Sequence, residues 1–242
     1  MTLPAVTQCV KGTVAGGSSG TINNFATWVA GRSVVVAMPN FSSSESSLGC
    51  SDNINGTYNA VRASIRQGPN AALGMFARHN VSGSIVKLAW TSRANGITII
   101  AYGISNIDTT SLLIGTNTSV STTTTVGANG VDPGAIDAIT LMCSSIDQGG
   151  TVTITNNVAG STPSSGWAEF NASAHEFDGN NFMVGNMVYL ATSTSGTRNH
   201  VESTSASNDK ASIIASFRGV SSATPVSDPP RPLTARMPLL MR

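Results

Sequence analysis

ALGMFARHNVSGSIVKLAWTSRANGITIIAY, residues Ala72–Tyr102, holds three short apolar runs separated by two polar breaks. Ala72–His79, Ile85–Trp90 and Ile97–Tyr102 have strand length and carry branched and aromatic side chains, whereas Asn80–Ser84 and Ser92–Gly96 hold the Asn, Ser and Gly of turns. A parallel crossover needs about a dozen residues or more, so connections this short predict that these strands are antiparallel neighbours. On the N-terminal side, Val34–Met38 (VVVAM) reads as a buried strand closed by Pro39-Asn40, Tyr58–Ile65 alternates in two-residue steps, and Gly68-Pro69-Asn70 is a turn. The second half repeats this grammar without repeating the sequence, and no solenoid or propeller period appears. Ala135–Cys143, Thr151–Thr155, Trp167–Phe170, Phe182–Ala191, Arg198–Ser203 and Ala211–Arg218 read as further strands, and the Ser/Thr stretches Ser42–Ser47 and Ser119–Val126 as exposed loops or an edge strand. Roughly a dozen strands exceed one open twisted sheet and suit two packed ones. The expected fold is therefore all-β: an antiparallel two-sheet β-sandwich of jelly-roll type over residues 21–220, with extended terminal arms at 1–20 and 221–242.

The composition narrows function. Among 242 residues, 13 Lys+Arg and 12 Asp+Glu leave a net charge of +1 and a charged fraction of 10%, against roughly 25% in an average soluble protein. A nucleic-acid or acidic-surface partner needs a basic excess to displace counterions, so neither is expected. Gly, Ser, Thr and Asn fill the space that charges usually take, which suits turns and β surfaces and disfavours helix. Met1–Val10 lacks the basic and apolar pattern of a secretory leader, and no run approaches the roughly 20 apolar residues of a membrane span, so neither secretion nor a membrane partner is expected. Cys9, Cys50 and Cys143 are widely spaced with no C-x-x-C, the pattern of reduced, mostly buried thiols. Sequons at Asn40, Asn55, Asn80, Asn117 and Asn171 are what chance gives in a chain this rich in Asn, Ser and Thr.

The C-terminus changes character. Pro225, Pro229, Pro230, Pro232 and Pro238 are half of the ten prolines, which excludes a sheet interior and favours an extended, polyproline-like path. Yet this arm carries Leu233, Met237, Leu239, Leu240 and Met241, interleaved with Arg231, Arg236 and Arg242, an apolar and basic set suited to binding a partner. A neighbouring subunit is the expected partner, with the arm's own sandwich as the alternative.

Catalytic patterns are weak. Gly16-Gly17-Ser18-Ser19-Gly20 matches G-x-S-x-G, but a nucleophile elbow needs a strand before and a helix after, and a Gly/Ser loop is the better reading. His79, His175 and His200 lie on separate segments, which does not suggest a metal site, and no cofactor is expected. Glu169, Glu176 and Asp178 are the carboxylates available for glycoside hydrolysis, which needs a pair flanking a groove. For glycan binding, a sugar ring would stack on an exposed aromatic; of Trp28, Trp90 and Trp167, the last follows a Ser-Ser-Gly loop and is the candidate, although core is the commoner role.

Phe76–Gly83 (FARHNVSG) with the Ile85–Trp90 strand, Ile97–Asp108 (ITIIAYGISNID) and Ala211–Gly219 (ASIIASFRG) together resemble β-sandwich structural proteins of tailed bacteriophages. The likeness spans roughly Val34–Phe217 and rests on strand patterns; Gly103 directly follows Tyr102, one residue sooner than in that group. The resemblance implies a non-enzymatic head-decoration or tail component of a virion, made in the host cytoplasm. It also implies partners among copies of itself and other virion proteins, with a host surface glycan as a further partner for some members.

Overall fold

The computed structural model describes residues 3–14, 19–41, 48–91, 96–110, 113–134, 136–147, 154–155, 166–168, 170, 176–177 and 183–220. Seventeen strands form over them: β1 (Ala5–Val14), β2 (Ser19–Thr27), β3 (Ser33–Phe41), β4 (Gly49–Asp52), β5 (Gly56–Thr57), β6 (Asn59–Gln67), β7 (Ala71–Arg78), β8 (Ile85–Thr91), β9 (Gly96–Ser105), β10 (Leu113–Ser121), β11 (Thr125–Val131), β12 (Ala138–Asp147), β13 (Ile154–Thr155), β14 (Glu176–Phe177), β15 (Met183–Thr192), β16 (Arg198–Thr204) and β17 (Lys210–Arg218). Every pairing between them is antiparallel, as expected.

The strands make four sheets where two were expected. Sheet I has the order β2-β8-β4-β5, sheet II β1-β9-β3-β7-β6, sheet III β10-β17-β12-β15-β14 and sheet IV β11-β16-β13. Side chains alternate across each strand, so a strand in an inner sheet feeds two cores. Val34, Val36 and Met38 of β3 pack with Trp28, Leu88 and Trp90 against sheet I. Val35 and Ala37 of the same strand join Leu141, Ile213 and Phe217 of sheet III. Met142, Val188 and Ile214 then point away toward Ala128 and Trp167 on the sheet IV side. The layers therefore stack I–II–III–IV, which is why β7, β12 and β17 are near-continuously buried rather than alternating.

This stacking also corrects the reading of Ala72–Tyr102. β7 lies in sheet II, β8 in sheet I and β9 in sheet II again, so the consecutive strands do not pair with one another. A few residues at about 3.3 Å each span the roughly 10 Å between packed sheets, so a short loop can change sheet as readily as close a hairpin. Pro39 does not close its strand either: β3 continues to Phe41, with Pro39 opposite Leu73 of β7. The ladder to β9 omits Met38 and Pro39, where proline has no N–H to give. The expected N-terminal arm, 1–20, is also corrected. β1 pairs along its length with β9 and β2 already begins at Ser19, because Val6 supplies core and the backbone of Ala5–Val14 supplies the edge of sheet II. The C-terminal arm lies outside the described residues, as does Ser42–Ser47.

The two halves share one plan. In β1–β9 the chain visits sheets II, I, II, I, I, II, II, I and II; in β10–β17 it visits III, IV, III, IV, III, III, IV and III. Apart from the added β5, each strand of the first half has a counterpart at the same place in the second. Sheets II and III meet with reversed orders: β6 faces β10, β7 faces β17, β3 faces β12, β9 faces β15 and β1 faces β14. That is the arrangement a two-fold axis along the strands produces. Contacts across it include the Tyr102 hydroxyl donating to the Met187 carbonyl, and Asn70 Nδ2 donating to Asp147 Oδ2 at 2.9 Å.

Candidate functional site

Because the two halves are related along the strand direction, they share two ends. One end, the base of the molecule, gathers the β2–β3, β4–β5 and β7–β8 connections with the β9–β10 crossing and the exit from β17. Strand direction places each residue there. β1 starts and β9 ends at the Ala5–Ser105 pair, β3 starts opposite Ile104, and Thr27 pairs with Ile85. The exit from β17 joins them through Val220 N–H donating to the Asn106 carbonyl, 2.9 Å.

The base collects exposed apolar side chains. Among the described residues seven large hydrophobics are exposed, and six of them, Leu3, Val29, Ile54, Ile85, Leu113 and Val220, stand at this end. Ile85 is 58% exposed and Val29 52%. Their positions follow from local structure. Gly31 N–H donates to the Val81 carbonyl, fixing the β2–β3 loop beside the β7–β8 loop. Asp52 Oδ1 accepts from Ile54 N–H at 2.8 Å, its Oδ2 accepts from Tyr58 Oη at 2.7 Å, and Asn55 Oδ1 accepts from Ser82 N–H at 2.8 Å. These bonds tie the β4–β5 turn to the same loop and hold Ile54 outward. Burial pushes the Tyr58 hydroxyl up, and its bond to Asp52 adds to that rise, so it stays a donor. Asp108, Asp132 and Asp137 give the base carboxylates; their segments bond to Arg218, to Gly196 and to Gly219.

A second arrangement lies inside the molecule, between sheets III and IV. The inward positions of β8 are Val86, Leu88 and Trp90, whereas those of its counterpart β16 are Arg198, His200, Glu202 and Thr204, all buried. Glu202 has no exposed surface; it accepts from Ser144 Oγ at 3.1 Å and from Asn186 Nδ2. His200 Nε2 stands 3.3 Å from Glu202 Oε1, without the alignment of a hydrogen bond, and the ring packs on Trp167 with centroids 4.9 Å apart. Arg198 turns to the carbonyls of Thr192 and Thr194. Nearby, the Lys210 ammonium gives its three protons to the carbonyls of Thr123, Ala206 and Asn208, and burial lowers its pKa. The Glu202 carboxylate and the Lys210 ammonium are each met by several hydrogen-bond partners, which is how a low-dielectric interior tolerates charge. Sequence reasoning missed this polar seam. Its only trace is that Arg198–Thr204 alternates with the charges on one face, the reverse of the usual inward apolar pattern.

The residues singled out from sequence fare unevenly. Trp167, the glycan candidate, is buried against His200, Ala128 and Met142, leaving no open ring face for a sugar. Ser19 opens strand β2, where a nucleophile elbow needs a helix; Gly16, Gly17 and Ser18 of the G-x-S-x-G run lie outside the described residues. His79 contacts Ser33 Oγ at 2.9 Å, far along the chain and in the fold from His200. Among the described residues no three His, Cys, Asp or Glu side chains gather to hold a metal ion. Cys9, Cys50 and Cys143 form no disulfide among the described residues, and burial raises the thiols of Cys50 and Cys143. Asn40 and Asn55 of the sequons are buried. Glu176 opens β14. His175, Glu169, Asp178 and the arm residues Arg231, Leu233, Arg236, Met237, Leu239, Leu240, Met241 and Arg242 lie outside the described residues.

Comparison with family models, with curated proteins and with solved structures finds no match to this chain.

Proposed function

We propose that the chain is a non-enzymatic structural component of a tailed-phage virion, a head-decoration or tail protein. It assembles with copies of itself and with other virion proteins through its sandwich and its C-terminal arm, and its place of work is the particle. The observation that carries this reading is the base, where six large apolar side chains stand in solvent at one end of the molecule. Large exposed apolar groups gathered in one region mark contact surfaces, and scattered ones do not. The buried Glu202, His200 and Ser144, by contrast, are positioned against one another and not against solvent, as in a structural polar seam. A finer description belongs to the same proposal: each half is a jelly roll. Its support is the strand order: with β5 set aside, strands one, eight, three, six and five of each half lie side by side in one sheet, while strands two, seven and four lie in the other.

Immunogold electron microscopy of purified particles tests the reading. Label at regular positions on the head or tail is the expected outcome, and particles free of the protein would overturn it.

A further inference from the structure

The two outer layers occupy matching places, and their inward faces differ. β8 and β16 are middle strands, β8 between β2 and β4 in sheet I and β16 between β11 and β13 in sheet IV. β8 turns Val86, Leu88 and Trp90 into the core it shares with β3, whereas β16 turns Arg198, His200, Glu202 and Thr204 toward sheet III. An outer sheet is held by the apolar surface it takes out of water, and a polar inward face takes out little. Hydrogen bonds within the seam do not make up the difference, since each replaces a bond to water. Among the described residues of sheet IV the buried apolar contribution is Val126 and Ala128 of β11.

The seam also leaves polar atoms short. Both ring nitrogens of His200 and Nη1 of Arg198 have no hydrogen-bond partner, although His200 is 2% exposed and Arg198 4%. Such atoms regain partners when water enters, so here opening is favoured by the groups it exposes. Under sheet I the indole N–H groups of Trp28 and Trp90 are unpartnered as well, but opening there would expose two buried indoles, whose apolar area outweighs one N–H apiece. At the Thr204 end, Thr204 N–H donates to the Thr124 carbonyl, and the Lys210 ammonium donates to the carbonyls of Thr123, Ala206 and Asn208. The approach to β11 and the exit from β16 are therefore fastened together, and the two strands move as one unit. We propose that sheet IV is an outer layer poised to open: β11 and β16 part from sheet III while sheets I, II and III stay packed. Opening puts Met142, Val188 and Ile214, the outward face of sheet III, in contact with water. The inference does not depend on the assembly reading.

Hydrogen exchange of the full-length chain under native conditions, read by mass spectrometry, tests this, because opening short of global unfolding exposes the amides of one layer alone. The amides to compare are those that join β16 to β11 and β8 to β2, equivalent ladders in the two halves. Corrected for intrinsic rates, the β16 amides should exchange at least about tenfold faster than those of β8, with β12 and β17 as slow as β8. His200→Phe keeps a ring against Trp167 and removes both unpartnered nitrogens; it should slow β16 and leave β8 unchanged. Protection of β16 equal to that of β8 would overturn the proposal. So would β12 and β17 exchanging together with β16, since the second half would then open whole, and so would a folded His200→Phe chain in which β16 exchanges as fast as before or faster. Should that variant fail to fold, the comparison within the unaltered chain decides.

Discussion

His79 follows β7 half-buried, with its Nδ1 2.9 Å from Ser33 Oγ, and burial together with the charge of Arg78 lowers its imidazole from 6.5 to about 4. Between those two values the unfolded chain binds a proton that the folded chain refuses, so acid favours unfolding there. The stability contributed by the neutral ring is complete above about pH 6.5 and is lost as the pH falls toward 4. The melting temperature should decline over that window, and His79→Gln should flatten the decline; an identical pH profile in the variant would show that other groups govern it. This histidine was visible in the sequence only as one of three scattered imidazoles. Its environment depends on Ser33, 46 residues earlier. Nothing local in FARHN announces that neighbour, because β3 and β7 meet through a ladder whose register sequence pattern does not fix.

At the scale of elements, close approach between sheets II and III sets the limits of substitution. Pro39 of β3 presses on Gly185 of β15, where an added Cβ would stand 2.5 Å from Pro39 Cγ. Gly185→Ala should therefore cost about 2 kcal/mol, the usual scale for overpacking a fitted core, read as a lower denaturant midpoint at unchanged slope. A midpoint equal to that of the unaltered chain would mean that the sheets can part without loss. Strand existence was legible here, since VVVAM, ITIIAY and ASIIASF are short, branched and bounded by turn residues. Strand partnership was not. Asn80–Ser84 has the length of a hairpin loop, and only the packing of Trp28 and Trp90 in one core and Tyr102 in the other reveals that the chain changes sheet there. Pro39 misled in the same way: its missing N–H falls where the β9 ladder lapses, and the strand runs on.

The whole molecule joins two topologically matched halves through one continuous core of residues from sheets II and III. Neither half can separate without exposing Val35, Leu73, Ile213 and Phe217 together, so calorimetry should give a single transition whose van't Hoff and calorimetric enthalpies agree. Two resolved transitions would contradict a shared core. The duplication escaped sequence reading because the paired positions keep their place and not their identity. The inward side of β8 carries Val86, Leu88 and Trp90 where that of β16 carries Arg198, His200, Glu202 and Thr204, and only the order of sheet visits repeats. The base was equally hidden, since Val29, Ile54 and Ile85 are ordinary residues until the fold brings their loops to one end. The most direct test of the central claim, that this molecule works by being held among copies and companions, is the solution mass of the full-length chain across a wide concentration range. The expected result is a multiple of 24.7 kDa that rises with concentration, and a mass of 24.7 kDa at every concentration would contradict the account.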